Sequence, residues 1–153
     1  MKNNTYDILS NLYEWKYIKF RNMILFFNPD DNSFDYASNL IKDGYRVHIF
    51  MTSEYFTNKY LKDFINTINA KCKIFVHVPK KLINLKSIIN DIIKDFPKVK
   101  LISEKHGETF YMDNCYLDLE VKYEKEFIKI NLNMDTILYD TNSMLVKFKY
   151  KEM

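Results

Sequence analysis

Apolar positions along this chain follow two different rhythms, and their order predicts the order of elements. Four short runs are apolar almost without interruption: NMILFF (Asn22 to Phe27), YRVHIFMT (Tyr45 to Thr52), KCKIFVHV (Lys71 to Val78) and VKLIS (Val99 to Ser103). Such runs predict strands covered on both faces, as in a parallel sheet. Between them the apolar spacing becomes helical. Ser33 opens a segment with Phe34, Ala37, Leu40 and Ile41 on one side, and Gly44 is placed to end it. SEYFTNKYLKDFINTIN (Ser53 to Asn69) carries a stripe of Phe56, Tyr60, Leu61, Phe64, Ile65 and Ile68. KKLINLKSIINDIIKDF (Lys80 to Phe96) carries Leu82, Leu85, Ile88, Ile89, Ile92, Ile93 and Phe96 on one side, and Pro97 closes it. Ahead of the first strand, Asn4 or Thr5 can cap a helix whose face is Leu9, Leu12, Tyr13, Trp15 and Tyr17.

Toward the C-terminus the rhythm changes to a period of two. CYLDLEVKY sets Leu117, Leu119 and Val121 against Asp118, Glu120 and Lys122, and EFIKINLN and SMLVKFKY alternate in the same way. This predicts antiparallel strands with one wet face. The expected fold is α/β: a three-layer, Rossmann-like, mostly parallel sheet with an N-terminal helix and a C-terminal antiparallel β extension. No linker or repeat interrupts the chain. Residues 1–153 are therefore expected to form one domain, with a helix over 1–20, a βαβαβα core over 22–108 and antiparallel strands over 109–150. Its crossovers are expected to be right-handed.

Composition narrows the class further. Hydrophobic residues are 47% of the chain and charged residues 28%, a globular balance. The abundance of Asn, Lys and Ile beside so few Gly and Pro fits an AT-rich genome, of the kind a phage or mobile element carries. A net charge of +3 is too small for a dedicated polyanion surface. Aromatics reach 16%, a richness that suits contact surfaces. A protein partner or homodimer is expected on that ground, with nucleic acid or a nucleotide as the other candidates. Cys72 and Cys115 have no metal-ligand spacing around them and fit a reducing compartment. No apolar run approaches the ~20 residues of a bilayer span, and the N-terminus lacks a leader pattern, so a cytoplasmic protein with no membrane contact is expected.

In an open α/β sheet ligands bind beyond the carboxyl ends of the strands. That rule nominates Asp30 and Asp31 after the first strand, and Thr52, Ser53 and Glu54 after the second. It nominates His77, Pro79 and Lys80 after the third, and Ser103 to Glu108, with Lys105 and Glu108, after the fourth. Asp30, Asp31, Glu54 and Glu104 together would suit a metal-dependent nuclease. NPDDNS equally suits a turn feeding a helix cap. With Gly44 and Gly107 as the two glycines, no phosphate-cradling glycine loop can be written, and neither a cofactor nor a metal is expected. His48, on the same strand face as Phe50, reads as packed. Lys147, Phe148, Lys149 and Tyr150 suit either a single nucleic-acid strand or an edge strand guarded by lysines.

One segment carries a chemical lead. KHGETFYMDN (Lys105 to Asn114) places His106, one residue, Glu108, four residues, then Asp113, with a short strand expected between. This spacing resembles the His-x-Lys-x4-Asp motif of phospholipase D-like phosphodiesterases, and KDGYRVHIF resembles that superfamily's helix-glycine-strand step. The resemblance implies His106 as nucleophile, Asp113 as its orienting partner, metal-independent phosphodiester cleavage, and two motifs paired across a homodimer. The sequence departs from the motif at Glu108, where the family has lysine, and at the absent downstream Asn and Gly-Ser step. The competing expectation is that HGE forms a turn and Asp113-Asn114 a hairpin loop. The functional expectation is a non-catalytic α/β interaction module binding a macromolecular partner or nucleotide, with the phosphodiesterase and the metal-dependent nuclease as alternatives.

Overall fold

The computed structural model describes residues 6–7, 17–20, 22–29, 39, 41–53, 59–104, 109–113, 118–124, 127–132, 135–141 and 145–150. The chain divides into two compact units; of the described residues, those up to Ser103 fall in one and those from Glu104 onward in the other. It is a mixed α/β structure with two sheets.

The first sheet holds β1 (Tyr6–Asp7), β2 (Tyr17–Phe20), β3 (Met23–Phe27), β4 (Arg46–Phe50), β5 (Lys73–Pro79) and β6 (Lys100–Glu104), in that spatial order. β1 and β2 pair antiparallel, as do β2 and β3. β3, β4 and β5 are parallel, with Leu25 opposite His48 and His48 opposite Phe75. Tyr6–Asp7 and Tyr17–Phe20 correct the N-terminal helix expected over 1–20. Tyr17 has apolar helical spacing to Tyr13, but it also sits six residues before the apolar run of β3. Pairing Tyr17 with Phe26 and Ile18 with Leu25 buries both residues and extends the sheet. The rest of that expected helix lies outside the described residues, as does most of the one expected to open at Ser33.

Two described helices lie between strands of this sheet: α1 (Lys59–Ile68) between β4 and β5, and α2 (Ile83–Ile93) between β5 and β6. In α1 the buried residues are Leu61, Phe64, Ile65 and Ile68, the one-sided spacing that faces a core. Tyr60 lies off this stripe and is 42% exposed. In α2 the predicted face is the observed one. Leu85, Ile89, Ile92 and Ile93 are buried, and Leu82 and Ile88 pack partly buried against the same cluster. Both helices join one core cluster with Ile24, Phe26, Val47, Ile49, Ile74 and Val76. Phe26 meets Phe64 edge-on, ring centroids 5.0 Å apart. A three-layer sandwich predicts helices on both faces of the sheet, whereas α1 and α2 cover the same face. The physical reason is the strand order: when successive crossovers of one hand step steadily across a sheet, their helices fall on one side.

The opposite face of this sheet is buried as well, through Ile18, Met23, Leu25, Phe27, His48, Phe50, Phe75 and His77. Gly44 has φ +85°, the left-handed conformation expected of it, and its N–H donates to the Lys71 carbonyl.

The second unit carries an antiparallel sheet of β7 (Thr109–Asp113), β8 (Asp118–Tyr123), β9 (Phe127–Leu132), β10 (Asp135–Asp140) and β11 (Leu145–Tyr150), each paired with its sequence neighbour. Leu119, Val121, Tyr123, Ile128, Ile130, Ile137 and Tyr139 are buried on one face. On the other, Thr136 donates to Asn131 Oδ1 and Asn131 Nδ2 donates to Glu120 Oε1, at 2.8 and 2.7 Å. The register places Lys147 opposite Leu138 and Phe148 opposite Ile137. No described helix is long and apolar enough to cross a membrane.

Candidate functional site

The carboxyl ends of β3 and β4 are tied together by one side chain. Asn28, the residue after β3, is fully buried and has φ +42°, a conformation asparagine tolerates better than most residues. Its N–H donates to the Phe50 carbonyl at 2.8 Å. Its side-chain Oδ1 accepts from the Thr52 N–H at 2.7 Å, and its Nδ2 donates to Thr52 Oγ1 at 2.5 Å. One strand further along, Met51 N–H donates to the His77 carbonyl at 2.9 Å. Thr52 and Ser53 are thus held at the sheet's carboxyl edge by bonds that continue the strand ladder past its end.

After β5 the chain turns at Pro79, whose carbonyl accepts from the Leu82 N–H, and enters α2. Leu82 stands at the N-cap with no side-chain capping bond. Lys86 N–H closes onto the Leu82 carbonyl, so the amides of Ile83, Asn84 and Leu85 have no acceptor within the helix. Thr52, Ser53, Lys81, Leu82, Ile83, Asn84 and Leu85 line a pocket of about 590 Å³ between these two edges. Its floor is the polar end of β4, and one wall is the positive end of a helix dipole with Lys81 beside it. Ile83 is 73% exposed at its rim.

No protein-family model, no curated protein and no solved structure matches this chain.

The expected site residues separate into five groups. Ser53 lines the pocket. Lys80 is exposed in the turn after β5 and misses the lining by one residue, which is Lys81. His77 does not face the pocket, a correction to its expected ligand-binding role. Its ring is fully buried in the sheet face opposite the helices, stacked on Phe50 with centroids 4.3 Å apart. Strand alternation is the reason: Val76 and Val78 point to the helices, so His77 points away. Asp30, Asp31, Glu54, Lys105, His106 and Glu108 lie outside the described residues. Glu104 ends β6, and Asp113 ends β7 directly opposite Asp118. Among the described residues, no three of the His, Cys, Asp and Glu side chains gather as a metal ion requires.

His48 is packed, as expected, and its partner is the other buried histidine. His48 Nδ1 and His77 Nε2 are 2.8 Å apart. Burial pushes the His77 imidazole down to about 3. Burial, then the nearby His77 and Arg46, holds His48 well below its ordinary value. Both are therefore neutral rings joined by one N–H···N bond, positioned to pack rather than to exchange protons with a substrate.

Sequence reasoning found the carboxyl edge but missed Asn28, Lys81 and the start of α2. Asn28 carries no local signal, because its role is to bridge two strands 24 residues apart. The α2 start does carry one: VPKKL, ahead of Ile83, lacks the Ser, Thr, Asp or Asn that usually caps a helix.

Proposed function

We propose that this protein is a non-catalytic binding module whose ligand is a small molecule of nucleotide size, seated in the pocket formed by Thr52, Ser53 and residues 81–85. The observation that carries this reading is the pocket itself. Its volume of about 590 Å³ lies within the roughly 300–1,000 Å³ typical of small-molecule sites. Its position, beyond the carboxyl ends of parallel strands, is where open α/β sheets take ligands. The parallel strands β3, β4 and β5, with α1 between the last two, are the part of the fold we read as Rossmann-like. Among the described lining residues no general acid is paired with a general base, and His48 and His77 are sealed in the core, which favours binding over hydrolysis.

The test is ligand-observed NMR of the full chain against a panel of nucleosides and nucleotides, repeated with Ser53→Trp, which fills the pocket. Binding by the wild type that disappears in Ser53→Trp is expected. A wild type that binds nothing in the panel, or a variant that binds equally well, overturns the reading.

A second reading, the metal-independent phosphodiesterase, has one observation in its favour. The strand Thr109–Asp113 lies between His106 and Asp113, as the motif requires. The same strand followed by Asp118 in register is also a hairpin, and His106→Ala separates the two, as set out below.

A further inference from the structure

The Asn28–Thr52 pair fixes the direction of its own hydrogen bonds. A backbone N–H can only donate, so the Asn28 atom facing Thr52 N, 2.7 Å away, is the carbonyl oxygen. The atom facing Thr52 Oγ1, 2.5 Å away, is then the amide nitrogen, which also can only donate. Thr52 Oγ1 is the acceptor in that contact, and its own hydrogen is directed elsewhere. Thr52 lies in the pocket wall.

We infer that Asn28 is a positioning residue that makes Thr52 a hydrogen-bond donor to the ligand, and that the group recognised there is a phosphate. The inference rests on the pocket reading above and adds the ligand's charge to it. Lys81 and the α2 amides agree in sign, while the Ser53 hydroxyl and the Asn84 side chain can serve either role. Lys81 brings an ammonium, which has donors and no acceptor. The amides of Ile83, Asn84 and Leu85 are donors at the positive end of α2. A hydroxyl alone could serve either role, so a neutral ligand with its own donors would fit an unconstrained Thr52. With Asn28 in place, Thr52, Lys81 and the α2 amides all offer hydrogens, and a ligand group seated on them must supply lone pairs. The exposed Ile83 gives the remainder of the ligand an apolar surface.

The experiment measures dissociation constants of pyrophosphate, ATP and adenosine by titration calorimetry, on the full chain and on three variants. The wild type is expected to bind pyrophosphate and to bind ATP more tightly than adenosine. Thr52→Val, which removes the hydroxyl, is expected to weaken ATP and pyrophosphate roughly 10- to 100-fold, the usual worth of a hydrogen bond to a charged group. Thr52→Ser restores the hydroxyl and the affinity. Asn28→Asp keeps an acceptor for the Thr52 N–H, but its second oxygen can only accept. The Thr52 hydroxyl then turns toward it, and the preference for ATP over adenosine collapses, a change that loss of packing alone would not produce. Thermal melts confirm that each variant is folded. Adenosine binding as tightly as ATP to the wild type overturns the inference and leaves the pocket reading standing. So does full affinity in Thr52→Val or Asn28→Asp. Absence of binding by all three compounds overturns the pocket reading itself.

Discussion

His48 Nδ1 lies 2.8 Å from His77 Nε2, and neither ring has any exposed surface. Each ring also stacks on a phenylalanine, His48 on Phe75 and His77 on Phe50. Two neighbouring strands thus place polar rings inside an apolar layer where one hydrogen bond between them offsets part of their desolvation.

This pair makes the fold sensitive to acid. The folded-state pKa values lie below the unfolded value of about 6.5, so the unfolded chain takes up protons first. Stability from the neutral rings is complete above about pH 6.5 and is lost as pH falls toward the His77 value of about 3. For His77 the loss reaches about 2 kcal/mol by pH 5, and His48 acts in the same direction. Urea unfolding at pH 7.5 and pH 5 checks this, and equal stability at the two would show that the rings accept protons in the folded state.

Replacing one histidine is expected to cost more than half of what replacing both costs. His48→Leu removes the 2.8 Å partner of His77, at a cost of about 1–3 kcal/mol. The double variant, with His77→Leu, replaces both polar groups and should fall short of the sum of the single effects. It should also flatten the pH profile between 5 and 7. Denaturant melts of the three variants measure both.

Gly44→Ala isolates a backbone cost. A Cβ at Gly44 would meet no atom within 4 Å, yet the residue has φ +85°. The expected loss is about 1–2 kcal/mol, from the left-handed conformation alone. Gly44→Asn should lose less, since asparagine tolerates that region better. Equal losses for both would point to a packing effect that the open surroundings of Gly44 do not provide.

Cys72 should be a slow thiol. Burial pushes it up to about 11, against the opposing charge of Lys71, and its Sγ–H donates to the Ile68 carbonyl at 3.3 Å. In a Cys115→Ser background, its alkylation at pH 8 is expected to run about 100-fold slower than that of a free thiol, following the thiolate fraction. Mass spectrometry of the alkylated protein over time gives the rate, and reaction at the free-thiol rate contradicts the assignment.

If the protein binds rather than cleaves, His106→Ala leaves phosphodiester hydrolysis unchanged. Wild type and variant are compared on bis(p-nitrophenyl) phosphate and single-stranded DNA in EDTA. Turnover by the wild type that vanishes in the variant would transfer the function to the phosphodiesterase reading.

The elements that could be read from sequence are those whose pattern has one physical cause. NMILFF, RVHIF and KIFVHVP are strands because both faces need apolar cover, and α2 repeats its apolar residues at helical spacing without a break. β10 was not expected, since Leu138 occupies a position on the wet face and spoils the alternation of Ile137 and Tyr139. The stretch leading into β2 reads as helix because Tyr13 and Tyr17 are four apart, although Tyr13, Trp15 and Tyr17 also alternate as a strand does. At the site, Thr52 and Ser53 followed from topology alone. Asn28 could not follow, because a buried tertiary bridge leaves no periodic trace in the residues around it.

The meander from β7 to β11 has a consequence for how the chain is made. Its register closes Asp113 on Asp118, Tyr123 on Ile128, Leu132 on Asp135 and Asp140 on Leu145, so each strand meets its mate within five residues. In the first sheet, Met23 must find Arg46 and Arg46 must find Lys73. Loop-closure entropy and search time both grow with that separation. The meander, which follows the first sheet along the chain, is thus the part that can zip up fastest, through hairpins forming in microseconds, while β3, β4 and β5 must wait for their crossovers to close.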